Sequence, residues 1–117
     1  MVISYEMMNI LGENYEEVSG KDAVLWRGDL FVFDESCGVD CKAYMLCISE
    51  DRKGFRLVNY VGYKAGAQMT TVIPMEASQS GAMNVRLSWL LDNWSDVIPI
   101  GSFATTKFFK WMDNQVV

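Results

Sequence analysis

Histidine is absent from the 117 residues, proline occurs twice and cysteine three times. The lack of histidine excludes Ser-His-Asp and Cys-His nucleophile pairs, histidine general bases and every mixed Cys/His zinc site. Cys37, Cys41 and Cys47 are odd in number, and their spacing fits neither paired CxxC knuckles nor a disulfide framework. A reducing cytoplasm suits such usage, with Cys47 a small core residue inside an apolar run. A Cys37–Cys41 bridge or thiolate metal ligation stays open for the other two. The first 20 residues carry Glu6, Glu13, Glu16 and Glu17 but no Lys or Arg, so the basic start of a secretory signal is missing and no export is expected. Uninterrupted apolar runs such as Ala43 to Ile48 fall far short of the about 20 residues a membrane span needs. The phosphate-binding patterns GxxxxGK[ST] and GxGxxG and the nucleophile pattern GxSxG do not occur. No cofactor and no catalytic residue is therefore expected, and the chain reads as a non-enzyme.

Apolar residues make up 50% of the sequence, aromatic residues 13% and charged residues 21%. That balance supplies a core for one globular domain over residues 1–117 and argues against intrinsic disorder. Asp and Glu number 15 against 10 Lys and Arg, for a net charge of −5. An anionic chain is poorly suited to a phosphate backbone, so no direct nucleic-acid partner is expected.

Short apolar runs separated by polar turns dominate the first two thirds of the chain. Ala23 to Trp26 and Leu30 to Phe33 flank Arg27-Gly28-Asp29, which predicts a hairpin with Gly28 at positive φ. Lys42 to Ser49 and Phe55 to Tyr63 flank the polar Glu50 to Gly54, a second hairpin pattern, and Gln68 to Ile73 reads as a further strand ended by Pro74. After Ser78 to Gly81 the period changes. Leu87, Leu90, Leu91, Trp94 and Ile98 recur on one helical stripe, predicting an amphipathic helix over about residues 83–97, capped by Ser80 or Asn84 and closed before Pro99. Gly101 to Met112 follows as a last strand or an aromatic tail. The pattern describes an α+β fold: an antiparallel β-sheet of about five to six strands with one amphipathic helix on one face.

Paired carboxylates for acid/base chemistry are formally available in Asp34 with Glu35, Glu50 with Asp51 and Asp92 with Asp96, but solvated surface charge accounts for all three. Core packing accounts for Trp26 and Trp94, whereas Trp89 lies off the apolar stripe and is a candidate for facing a partner. Charge comes in blocks. Residues 6–17 sum to −4, residues 29–51 to −5 and residues 52–64 to +4. An anionic patch with aromatic neighbours is suited to capturing a basic protein, which favours the 29–51 segment over the basic one as the partner surface.

This small, acidic, histidine-free α+β chain, with its Ser88-Trp89-Leu90-Leu91 helix, Trp94 and the Ile100-Gly101-Ser102 segment after it, resembles the immunity proteins of bacterial contact-dependent inhibition and other polymorphic toxin systems. The resemblance implies a cytoplasmic protein that binds and neutralises a cognate toxin domain, a nuclease for example, by occluding its active site or substrate cleft. The partner contacts expected from the acidic surface are Asp34, Glu35 and Asp40, together with Trp89 and Asp92. The alternative reading is a small-molecule-binding or enzymatic α+β domain with a pocket between sheet and helix, anchored by Asn59, Tyr60 or Arg56. A third is a dimerisation module built on Phe108, Phe109 and Trp111.

Overall fold

A computed structural model describes residues 14–20, 22–33, 42–60, 65–69, 71–99 and 101–112. Eight strands and one α-helix follow one another along these segments: β1 (Tyr15–Val18), β2 (Val24–Trp26), β3 (Leu30–Phe33), β4 (Lys42–Ile48), β5 (Gly54–Asn59), β6 (Ile73–Pro74), β7 (Asn84–Arg86), α1 (Leu87–Val97) and β8 (Thr106–Trp111). Six strands form an antiparallel sheet in the order β1-β8-β3-β4-β5-β6, and β2 pairs with β7 in a small second sheet. The α+β class stands as expected, with a single α-helix among the described residues.

β3 explains the architecture. Leu30, Phe31, Val32 and Phe33 are all buried, so this run needs cover on both faces and pairing on both edges. The pairing comes from β4 on one side and from the C-terminal β8 on the other. Phe31 and Phe33 join the main core with Leu46, Phe55, Leu57 and Phe108 from the same sheet face, against Leu87, Leu90, Trp94 and Val97 of α1. Leu30 and Val32 point the other way, into a second cluster with Ala43 and Phe109. Each such side chain contributes about 1.5–3 kcal/mol relative to remaining exposed.

The 27–29 turn is not a hairpin, although Gly28 does take a positive φ of 92°. Its strands belong to different sheets because Asp29 is buried at 0% exposure and bonds in two directions. One carboxylate oxygen accepts from the Trp26 N–H at 2.8 Å, and the other accepts from the Trp111 N–H at 2.8 Å. Lys110 Nζ lies 3.6 Å from the same carboxylate and donates to the Val24 carbonyl at 2.9 Å. The carboxylate thus fastens the end of β2 to the end of β8, and the chain crosses between sheets instead of folding back.

The second hairpin is present, with β4 and β5 joined through Ser49 to Lys53. Gly54 admits no side chain, since a Cβ there would collide with the Ile73 carbonyl oxygen and lie 2.8 Å from a Val72 methyl carbon. The predicted 68–73 strand is reduced to a single bridge from Gln68 to Val58 and the short β6, because β5 shares its edge between the two segments.

The helix begins at Leu87, later than the sequence pattern suggests. Asn84 to Arg86 are extended because they pair with β2, and the Asn84 side chain accepts from the Gln79 N–H at 2.7 Å instead of capping the helix. Arg86 occupies the cap position but its side chain makes no capping bond; its guanidinium donates instead to the Glu76 carbonyl at 2.8 Å and the Ala77 carbonyl at 3.3 Å. The buried stripe is Leu87, Leu90, Trp94 and Val97, while Leu91 is 41% exposed. A stripe this narrow suffices because Phe33 and Phe108 fill the space beneath it, with Trp94 meeting both rings edge-on at 6.2 and 6.4 Å. Trp26 and Cys47, expected in the core, are half-buried.

Candidate partner-binding surface

The acidic residues that the sequence groups by position divide, in space, into those with internal partners and those without. Within the 29–51 block, Asp29 is the buried clasp just described. Glu50 meets the Arg56 guanidinium at 3.2 Å, and Asp51 accepts from Ser49 Oγ at 2.7 Å and from the Lys53 N–H at 2.9 Å. Hydrogen bonding is the main cause holding the Glu50 and Asp51 carboxyls below their ordinary range. Arg56 also donates to the Met69 carbonyl at 3.1 Å. Acidic and basic blocks that look separate in sequence therefore neutralise each other across one hairpin. Asp34, Glu35 and Asp40 lie outside the described residues, as do Cys37 and Cys41.

The helix carries the other kind of carboxylate. Asp92 and Asp96 are exposed on α1 beside Ser95 and Leu91, and no described cation meets either. The helix holds no basic residue in its last turn. Asp96 there faces the negative end of the helix dipole, an arrangement that costs roughly 0.3–1 kcal/mol. Trp89 is half-buried and packs against the main core, so only part of its ring is available to a partner. Its main-chain carbonyl accepts from Asn93 Nδ2 at 2.9 Å. The outward face of α1 is thus an apolar knob, Leu91, rimmed by carboxylates and a hydroxyl. Leu91 was legible as helical but not as exposed, because its spacing from Leu87 is the spacing of a core position.

The space between sheet and helix, where a ligand pocket was anticipated, is filled by Phe33, Phe108, Leu90 and Trp94. Phe108 and Phe109 are buried at 4% and 6% exposure, which removes them as a free dimerisation surface. A cavity of about 350 Å³ lies instead at the far end of β1, between Ser19–Gly20 and Thr105–Thr106. Among the described residues no cluster of Cys, Asp and Glu could hold a metal ion, and no helix is long and apolar enough to cross a membrane.

No protein-family model matches the chain, and no curated protein or solved structure matches it.

Proposed function

We propose that this protein is a binding inhibitor of the immunity type, which neutralises a cognate toxin domain with a basic cleft by covering that cleft. The observation that supports the reading best is the outward face of α1. Leu91 stands exposed between Asp92, Ser95 and Asp96, with no cation among the described residues to balance the carboxylates and with Asp96 where it weakens its own helix. Local rules broken without structural compensation are expected at functional surfaces. A desolvated apolar anchor inside a polar rim is the usual form of an interface centre, and uncompensated carboxylates steer a basic partner.

The test is co-expression with the toxin domain encoded beside this protein's gene. Rescue of growth and a stoichiometric complex on co-purification are expected, with Asp92→Lys and Asp96→Lys slowing association. Failure of the wild-type chain to rescue growth or to co-purify ends the reading.

A further inference from the structure

β1 parts from β8 after Val18, and the cavity of about 350 Å³ opens where the two strands separate. Its depth is apolar. Leu87 and Phe108, at 1% and 4% exposure, line the inner end, and the half-buried Phe103 lines the wall. Phe33, Phe108 and Phe103 all pack around Trp94, and of these three rings only Phe103 is not enclosed by the fold. Trp94 meets Phe103 edge-on at 5.9 Å, and Phe108 lies 5.3 Å from it at a tilt of 42°. The part of the Phe103 ring that these two neighbours leave uncovered lines the cavity.

The wall that carries Phe103 is held in place by its own bonds. Trp94 Nε1 donates to the Gly101 carbonyl at 3.2 Å, and Thr106 Oγ1 donates to the Ser102 carbonyl at 2.7 Å. The Ser102 and Thr105 hydroxyls bond each other at 2.9 Å. The cavity is therefore preformed, and its threonine hydroxyls are already engaged. Glu17 and Lys107 stand at the mouth, where their pairing at 3.0 Å cancels their charges. The exposed Ser19 hydroxyl at the same mouth has no hydrogen-bond partner among the described residues.

We infer that this cavity is a small-molecule site for an uncharged, two-ring aromatic compound, seated against Phe103 and Phe108 with one hydroxyl or amide group at the mouth beside Ser19. The size follows from volume. An apolar cavity of about 150 Å³ holds one benzene ring, so this one accommodates two fused rings, at the lower end of the roughly 300–1,000 Å³ of ligand pockets. The preference for a ring follows from the aromatic cluster, since a further ring continues the tilted and edge-on packing at the one place where it is open. The preference for a neutral compound follows from the ion pair. A carboxylate or ammonium would have to enter the apolar depth or displace Glu17 from Lys107, and either course costs desolvation without a free counter-charge. The site is separate from the outward face of α1, and the inference does not depend on the binding role proposed for that face.

The probe is 2-naphthol, titrated into the full chain at neutral pH and followed by amide NMR shifts. Saturable one-to-one binding is expected, with the largest shifts at Ser19, Gly20, Ala104 and Thr105. The carboxylate of the same skeleton, 2-naphthoate, should bind about tenfold or more weakly. Ala104→Trp replaces an exposed side chain that lines the cavity and should abolish binding by filling the space, with the thermal transition retained. Phe103→Leu keeps the wall apolar but removes the ring, and should weaken binding by about two- to tenfold. Absence of saturable shifts, or shifts centred on other residues, would show that the cavity is not a ligand site. Unchanged affinity in a folded Ala104→Trp or Phe103→Leu chain would equally overturn the assignment, and 2-naphthoate binding as tightly as 2-naphthol would show that the neutral class is wrong.

Discussion

Asp29 shows how much one side chain can decide. Both of its oxygens accept main-chain N–H groups, from Trp26 and from Trp111, in a site without solvent. Removing a partner from a buried charge pair leaves Lys110 uncompensated, so Asp29→Ala should cost about 3–5 kcal/mol. Asp29→Asn should also be strongly destabilising, because an amide must turn its NH₂ toward one of the two donors. Equilibrium denaturation of both variants checks this; a loss under about 1 kcal/mol for the asparagine would refute the two-acceptor account. Beside it, Tyr15 donates its hydroxyl to the Gly28 carbonyl at 3.1 Å. Burial, with Tyr60 and Asp29 nearby, pushes its phenol from 10.0 up to about 12. A folded-state value above the unfolded one means the unfolded chain releases this proton first. The contribution is whole below pH 10.0 and is lost as pH rises through about 12. Unfolding midpoints measured across that range should fall with pH in the wild type and fall less steeply in Tyr15→Phe. Nothing in the local sequence distinguishes Asp29 from an ordinary turn aspartate, since its bonds to β8 depend on where that distant strand lies.

At the scale of elements, α1 carries a core position and an exposed one side by side. Leu90 is fully buried and Leu91, its neighbour, is not. Leu90→Ala should cost about 2–5 kcal/mol through lost transfer energy and a residual cavity. Leu91→Ala should change stability by no more than about 0.5 kcal/mol and, on the binding role proposed above, should lower affinity for a toxin partner. Asp96→Lys carries opposite signs for the two properties. It relieves the unfavourable dipole contact and should stabilise the chain by roughly 0.3–1 kcal/mol, yet it should slow association. Thermal melts and binding kinetics on the same variants distinguish these outcomes; a Leu91→Ala variant as unstable as Leu90→Ala would place that side chain in the core. The existence of the helix was legible from its period. Its start was not, because Asn84 to Arg86 belong to a strand only through pairing with β2, which lies far earlier in the chain.

For the whole molecule, the decisive feature is that the last strand lies between the first and the third. β8 bonds β1 on one edge and β3 on the other, and it places Phe108 and Phe109 in opposite cores. A chain ending at residue 105 should therefore show no cooperative thermal transition, whereas loss of a terminal tail outside the sheet would leave one. Sequence alone determined the strand-rich α+β class, the existence of α1, the positive φ at Gly28 and the β4–β5 hairpin, because these depend on residue spacing and on turn chemistry within a few positions. Tertiary structure alone decided the sheet order, the burial of Asp29, the exposure of Leu91 and the pairing of Glu50 with Arg56. Charge summed along the sequence singled out residues 29–51, but the described carboxylates of that block are engaged internally, whereas no described cation meets Asp92 or Asp96 on α1. A local pattern states which side chains share a face; what that face meets is set by partners brought together from distant parts of the chain.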